Sequence, residues 1–187
     1  MSRRARTDAR AIGLALCVWL AGLLLASPPA GSTPDEYQVK AAFLLNFARL
    51  VEWPQKAMAA DRPIVVSVLG SQEVRDSIAA GIGDAVIGEH PVEVQRIDSA
   101  SEIGGSHILF VTRERAQEPA EIFRTARRHA ALVVGESEGF AESGGTINFF
   151  TEDRKLRFEI NPDAAKASGL KISSRLLRLA VLVGEER

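Results

Sequence analysis

A G-x-S-x-G pattern, which presents a serine nucleophile in many hydrolases, occurs at Gly135-Glu136-Ser137-Glu138-Gly139 and follows a predicted strand. In hydrolases with this motif the histidine base follows the serine in the chain, whereas every histidine here precedes it, at His90, His107 and His129. Two glutamates also flank Ser137, and their charge would oppose a developing oxyanion. We therefore interpret the segment as a flexible glycine loop and predict no catalytic residue in the chain.

Metal and cofactor sites are not predicted either. The three histidines are spaced 17 and 22 residues apart, and no cysteine accompanies them, so the sequence shows no cluster of metal ligands. Each histidine is interpreted as a surface or strand-end residue. The glycine loop lacks the Gly-Lys-Ser/Thr ending of a phosphate-binding loop. Gly81-x-Gly83 follows a predicted helix, whereas a dinucleotide fingerprint follows a strand. Loop acids such as Glu136 and Glu138 are expected to be solvated, so we predict that the protein is not an enzyme.

The first thirty residues have the layout of a secretory signal peptide. Four arginines give a basic start, Ala11–Ala26 is an apolar run, and Ser27-Pro28-Pro29-Ala30 ends it. The run is shorter than the ~20 residues that cross a bilayer, which favours cleavage between Ala26 and Ala30 over a retained membrane anchor. We predict a signal peptide over residues 1–30, one α/β domain over residues 31–187, a periplasmic location, and no stable membrane insertion after cleavage.

The charge of the chain argues against a nucleic-acid partner. The 187 residues include 23 basic and 24 acidic side chains, a formal net charge of −1. Without residues 1–30, which hold four arginines and Asp8, the net charge is −4. Binding a phosphate backbone requires clustered Lys and Arg, and the densest patch, Arg124, Arg127 and Arg128, is interpreted as a solvated helix face. The only cysteine, Cys17, leaves with the signal peptide, so no disulfide is expected in the mature chain.

Hydrophobic period and turn residues predict alternating strands and helices in the mature chain. Apolar runs predict buried strands at 64–69, 107–111 and 130–134, and alternation predicts a strand nearer an edge at 92–97. Helices are predicted from Thr33 or Asp35 to about Trp53, from Ser71 through Ala80, and from Glu118, with a hairpin over 146–160. This order predicts an α/β fold in which a mostly parallel sheet, with helices on both faces, is extended by a C-terminal antiparallel hairpin.

Lys40 is the one charged residue on the apolar side of the first predicted helix, where it projects between Phe47 and Val51. The ordinary interpretation is that its side chain extends from the first turn toward water. The alternative is a paired ammonium at the edge of a binding cleft.

The hairpin is predicted to pack through one face. Apolar side chains alternate with charged ones, so that Leu156, Phe158 and Ile160 face one way while the opposite face carries Lys155, Arg157 and Glu159. Two further residues on the preceding strand, Ile147 and Phe149, allow two interpretations, burial in the core or exposure as a docking patch.

Two long motifs lie near the ends of the mature chain. The first is Tyr37-Gln38-Val39-Lys40-Ala41-Ala42-Phe43-Leu44-Leu45-Asn46-Phe47, followed by Glu52-Trp53-Pro54. The second runs from Gly144 to Ala180 and includes Leu156-Arg157-Phe158-Glu159-Ile160-Asn161. Together they closely resemble the YfiR family of periplasmic signalling repressors, over nearly the whole mature chain from Tyr37 to Leu182. The resemblance implies a three-layer α/β sandwich that often forms a homodimer.

The resemblance also implies a function. Members of the family hold a membrane-bound diguanylate cyclase inactive by contacting its periplasmic domain, which represses cyclic di-GMP signalling and so acts on biofilm formation. Related domains occur in membrane kinases, so a related membrane sensor is an alternative partner. Partner contacts are expected in the C-terminal motif, with one further candidate on the first helix, at Ile147, Phe149, Arg157, Glu159, Leu170 and Lys40. The alternative function is that of a periplasmic small-ligand sensor or solute-binding protein.

Overall fold

The computed structural model describes residues 35–58, 62–117 and 119–184. The predicted signal peptide lies outside them, as does the predicted helix start at Glu118. The helices are α1 (Glu36–Leu50), α2 (Gln72–Ile82), α3 (Pro119–His129), α4 (Pro162–Ala167) and α5 (Ser174–Leu177). The strands are β1 (Val51–Glu52), β2 (Ile64–Leu69), β3 (Val86–Ile87), β4 (His90–Ile97), β5 (Ile108–Val111), β6 (Leu132–Gly135), β7 (Ile147–Glu152), β8 (Lys155–Ile160), β9 (Lys171–Ile172) and β10 (Val181–Leu182).

Eight of these strands form one sheet in the order β10-β8-β7-β6-β5-β2-β4-β3. The five central strands from β7 to β4 run parallel, while β3 pairs antiparallel with β4 and β8 pairs antiparallel with β7. At the far edge β10 runs parallel to β8. This confirms the predicted fold class, a three-layer α/β sandwich whose mostly parallel sheet is extended by the hairpin.

The larger core lies on the face of the sheet that α1 and α2 cover. Alternate residues of the strands point into it, for example Phe110 of β5 and Phe149 of β7. In α1, Phe47 contacts two aromatic rings of the hairpin, with ring centroids 5.7 Å from Phe149 and 5.1 Å from Phe158. Such aromatic pairs add about 0.5–1.5 kcal/mol each beyond the area they bury. The hairpin and α1 therefore stabilise each other.

The second core lies on the opposite face, under α3. Ile122, Phe123 and Ala126 of α3 are buried there, as their spacing predicts. Phe140, from the loop of residues 136–145, packs against Phe123 with ring centroids 5.2 Å apart. Since α3 and this loop cover mainly the central strands, this side of the hairpin is less covered.

A two-residue turn sets the register of the hairpin. Asp153 and Arg154 both have positive φ angles, 50° and 61°, as a type I′ turn requires. Counting outward from this turn, Phe150 lies opposite Arg157 and Asn148 lies opposite Glu159. Side chains on a strand alternate between faces, so these residues share the side that faces away from α1. We call this side the outer face of the hairpin.

Short strands at the end of α1 and at the edges of the sheet differ from the sequence prediction, and β3 is one of those not predicted. Helix α1 ends at Leu50, three residues before Trp53, because Val51 and Glu52 leave the helix to pair with β9. Their pairing partners, Ile172 and Lys171, come from the other end of the chain. The edge strand β10 was not predicted either. No helix in the described part of the chain has the length and apolarity that a bilayer-spanning segment requires.

Candidate functional site

A cleft of about 630 Å³ lies between the outer face of the hairpin and the loop of residues 136–145. Two of its residues lie just after central strands. Glu136 directly follows β6, and Arg113 comes shortly after the end of β5. The cleft therefore lies at the carboxyl ends of parallel strands, the edge at which open α/β sheets usually bind ligands.

Phe150 is the aromatic residue that the hairpin contributes to this cleft from its outer face. It is half-buried, and it packs into neither of the two cores. Its neighbour Phe149 points the other way and is only 3% exposed. A large aromatic side chain outside the core is a common energetic anchor in protein interfaces. The position of Phe150 thus suits contact with a partner.

Two polar atoms beside the cleft have no hydrogen-bond partner among the described residues. Asn148 is 2% exposed and donates from Nδ2 to Glu159 Oε1 over 3.0 Å, but its Oδ1 accepts nothing. The Oγ of Ser137, in the neighbouring loop, is likewise buried without a partner. Buried polar atoms are usually satisfied, and each exception costs about 1–3 kcal/mol. Oδ1 of Asn148 is therefore a buried acceptor beside the cleft that is unsatisfied among the described residues.

Glu136 connects the cleft to the start of α1. Its carboxylate accepts hydrogen bonds from Lys40 Nζ at 2.5 Å, from the Tyr37 hydroxyl at 3.3 Å, and from the backbone N–H of Arg113 at 3.2 Å. The Arg113 guanidinium donates to the Glu136 carbonyl at 3.3 Å. Both ends of the Lys40–Glu136 pair are buried, since Lys40 is 4% and Glu136 7% exposed in their side chains. The predicted solvation of Glu136 is therefore wrong.

The prediction that Lys40 extends to water is also wrong, and the alternative of a paired ammonium is right. Lys40 also contacts Glu36, one turn earlier, at 2.5 Å, and its Nζ lies 4.7 Å from the centre of the Tyr37 ring. Burial, reinforced by the nearby charge of Glu136, raises the pKa of Tyr37 to about 12. The phenol therefore stays protonated and acts as a hydrogen-bond donor to the carboxylate.

The rim of the cleft is acidic. Four glutamates and one arginine line it, and Glu136 is already paired with Lys40. The remaining carboxylates, on Glu138, Glu142 and Glu159, outnumber the guanidinium of Arg113. A bound group that carries positive charge would be favoured here. The described residues include no group of three or more His, Cys, Asp or Glu side chains placed to hold a metal ion.

Three of the six predicted contact residues lie in the core. Ile147 is fully buried, Phe149 is 3% exposed and Leu170 is 4% exposed, and all three belong to the cluster under α1. They cannot reach a partner while the fold is intact, which corrects that part of the prediction. For Ile147 and Phe149 the physical reason is the alternation of β7, which turns its odd-numbered residues toward the helix.

The other three predicted residues lie at or beside the cleft. Arg157 is exposed on the outer face and pairs with Glu152, while Glu159 lines the cleft and bonds Asn148. Lys40 is buried behind the cleft, where it pairs with Glu136, which lines the cleft. Sequence reasoning missed Asn148, Phe150 and Glu136. The hairpin register would have identified the first two.

Comparisons with known proteins agree with this description. A model of the YfiR/HmsC-like domain family (DUF4154) matches residues 37–181. No curated protein matches the chain. Among solved structures, a conserved domain protein from Vibrio cholerae O1 biovar eltor superposes with a TM-score of 0.53 at 10% identity, covering 80% of this chain. The ABC domain from Streptococcus pneumonia, solved in complex with L-Trp, gives a TM-score of 0.48 at 11% identity over 79% of this chain.

The chain spans 60% of the length of each of those two solved chains. At such low identity, the likeness to the Vibrio structure concerns the fold alone. The family match is of a different kind, because it extends from the start of α1 to the start of β10 and covers both motifs, at residues 37–47 and 144–180. The chain therefore belongs to the YfiR/HmsC-like family.

Proposed function

We propose that the protein is a periplasmic regulator that binds the periplasmic domain of a membrane-bound diguanylate cyclase and represses cyclic di-GMP synthesis. Membership of the YfiR/HmsC-like family supports a regulator of this kind. The observation that carries the proposed docking site is Phe150, a large aromatic side chain outside both cores on a face that is otherwise polar.

The partner docks on the outer face of the hairpin and the adjoining cleft. Phe150 is the apolar anchor, and polar side chains surround it on the outer face and along the cleft. Arg157 and Glu159 form a charged rim, which sets encounter rate and specificity more than affinity. Because carboxylates dominate the cleft, the matching surface of the partner carries Lys or Arg beside an apolar pocket.

The buried Lys40–Glu136 pair gives the docking site a connection to the rest of the fold. Glu136 belongs to the loop that borders the cleft, while Lys40 belongs to α1, so a movement of either element changes the other. The regulator then acts as a switch that binds the cyclase in one conformation and releases it in another. A coupling free energy of about 1–3 kcal/mol is typical of such switches.

The proposal is tested by substituting the anchor in the host cell. Phe150→Ala should raise cyclic di-GMP, because truncating the residue that serves as an interface hot spot costs about 2 kcal/mol or more of binding free energy. Val86→Ala is the matched control, since Val86 is 54% exposed on β3 at the opposite edge of the sheet. Both variants must keep the parent's circular dichroism spectrum. Unchanged cyclic di-GMP in a folded Phe150→Ala strain would contradict the docking site.

Export is tested separately. If residues 1–30 are a cleaved signal peptide, mass spectrometry of the periplasmic fraction will show a chain that starts between Ser27 and Ser32 and lacks Cys17. Recovery of the intact chain from the cytoplasm would contradict a periplasmic regulator.

A small-ligand sensor is the second candidate function. The observation that favours it is a second and larger cavity, which lies at the amino ends of the central strands, whereas the cleft lies at their carboxyl ends. Gene neighbourhood separates the two functions. A neighbouring membrane protein with a diguanylate cyclase domain favours repression, and a neighbouring permease favours transport of a solute.

A further inference from the structure

A cavity of about 730 Å³ lies at the amino ends of the central strands. Residues that immediately precede strands line it, namely Pro63 before β2, His107 before β5 and Ala130 close before β6. The docking cleft lies at the carboxyl ends of the same strands. The two sites thus lie at opposite ends of the same strands, and a ligand in this cavity would be distinct from the proposed partner.

The charge of this cavity is strongly positive. Lys56, Arg62, Arg127 and Arg128 line it, and no Asp or Glu does so among the described residues. None of the four makes an ion pair with a described carboxylate, whereas the arginines that do form ion pairs lie elsewhere. Asp61, next to Arg62 in the chain, lies outside the described residues. All four belong to exposed residues, so solvent screens their mutual repulsion, and an anion bound between them would be attracted by several cations at once.

The predicted role of Arg127 and Arg128 as a solvated helix face is therefore incomplete. Both arginines lie in the last turn of α3, which brings them to this cavity, while Arg124 one turn earlier does not line it. Arg128 donates one N–H to Thr125 Oγ1 at 3.1 Å and keeps its other donors. One guanidinium nitrogen of Arg127 lies beside Gly144, on the side where a Cβ atom would project.

The wall beside these cations contains backbone N–H groups that donate to no described backbone acceptor. Among the backbone hydrogen bonds of the described residues, none is donated by Gly104 or Gly105, and both glycines are exposed to the cavity. The ring of His129 lies beside Gly104. The hydroxyl of Ser106 faces the same cavity and is anchored by Ser67 Oγ at 2.6 Å. Exposed amides next to arginines are the combination that recognises phosphate oxygens.

We propose that this cavity binds a phosphate monoester of a sugar or a similar polyol. A dianionic phosphate can engage two guanidinium groups at once, and Arg is preferred where planar, bidentate contact with phosphate matters. The volume is within the range of sites for small organic molecules and exceeds what inorganic phosphate fills. Gln95, Ser106 and Ser168 supply polar partners for hydroxyl groups.

The lining also argues against a nucleotide base as the remainder of the ligand. No Phe, Tyr or Trp lines the cavity among the described residues, so the large aromatic faces on which bases usually stack are missing there and the only rings are the smaller imidazoles of His107 and His129. The phosphate could belong to a soluble metabolite or to a lipid headgroup, and the experiment distinguishes these two sources.

Isothermal titration calorimetry of the purified full chain with glucose 6-phosphate, inorganic phosphate and glucose tests the site. Glucose 6-phosphate should bind, inorganic phosphate should bind more weakly, and glucose should not bind. Arg127→Gln and Arg128→Gln should each weaken binding at least about tenfold, as expected for the loss of a charge-assisted hydrogen bond. Arg124→Gln is the matched control because it removes the same charge from the same helix outside the cavity, and it should change affinity less than about twofold.

Co-sedimentation with phosphatidic acid vesicles tests the second source. Vesicle binding that Arg127→Gln abolishes, in the absence of binding to glucose 6-phosphate, would assign the site to a lipid headgroup. No binding to either phosphate-bearing probe would overturn the proposal. Equal weakening by Arg124→Gln and Arg127→Gln would also overturn it, because binding would then follow overall charge and not this cavity.

Discussion

Replacing Lys40 with methionine should destabilise the protein by about 3 kcal/mol or more, the cost of leaving a buried carboxylate without its cation. Methionine fits the space of the lysine stem, so packing is nearly conserved. The loss arises at Glu136, whose side chain is 7% exposed and would keep only two long hydrogen bonds, from Tyr37 at 3.3 Å and Arg113 at 3.2 Å. Hydrogen bonds to a charged group contribute about 1.5–3 kcal/mol when their geometry is good, and these two are long, so they offset only part of the loss.

The chain contains its own control for this prediction. Lys40 Nζ lies 2.5 Å from a carboxylate oxygen of Glu36 and 2.5 Å from one of Glu136, yet the side chain of Glu36 is 66% exposed. Exposed pairs one helical turn apart contribute only about 0.3–0.5 kcal/mol. Glu36→Gln should therefore cost no more than about 0.5 kcal/mol, although it changes a contact of the same length. Burial, and not distance, sets the difference.

Urea unfolding followed by circular dichroism measures these free energies. The double variant Lys40→Met/Glu136→Gln should be more stable than Lys40→Met alone, because a neutral amide at position 136 no longer carries a buried charge. The coupling free energy between the two sites should be about 1–3 kcal/mol. Equal costs for Glu36→Gln and Lys40→Met, or a double variant less stable than Lys40→Met, would refute the role assigned to burial.

Three further changes test other parts of the structure. Burial lowers the pKa of His107, so below about pH 6.5 the imidazole binds a proton in the unfolded chain more readily than in the folded chain. The free energy of unfolding should therefore fall as the pH drops below about 6.5. In His107→Gln, the urea midpoint should depend less on pH in that range. Phe149→Ala should cost about 3–5 kcal/mol, whereas Phe150→Ala, outside both cores, should cost less than half as much in the same assay. Gly135→Ala would place a methyl group 2.4 Å from the ring of Phe140, and the resulting loss of about 1–3 kcal/mol should appear as a lower melting temperature.

Strands and helix starts were predictable because their signals are local. The β-branched run of Ile64–Leu69 predicts a buried strand by itself. Asp35 and Ser71 cap α1 and α2, because each side-chain oxygen accepts a hydrogen bond from a backbone N–H in the first turn. The pairing of Val51 with Ile172 has no such local signal. A two-residue strand is defined only by its partner, so the sequence pattern extended α1 through residues that in fact leave the helix.

The same distinction applies to the site. Lys40 and Glu136 are separated by 96 positions, and nothing near either residue indicates the other. The structure confirms the core interpretation of Phe149 over the docking patch, and the choice could have been made from the sequence, since Arg157 and Glu159 were correctly assigned to the charged face. A two-residue turn at Asp153 places Phe150 opposite Arg157, so the aromatic residue on that face could have been found by counting.

The contacts of α1 also determine when the chain can fold. The rings that cover Phe47 come from β7 and β8, and the partner of β1 comes later still. As the polypeptide is synthesised, the aromatic face of its first helix has no hairpin to pack against until most of the chain has been made. Contacts of such high sequence separation slow folding, because a long loop must close before they form. The apolar face of α1 therefore stays accessible to chaperones until the C-terminal segment has been synthesised and completes the core.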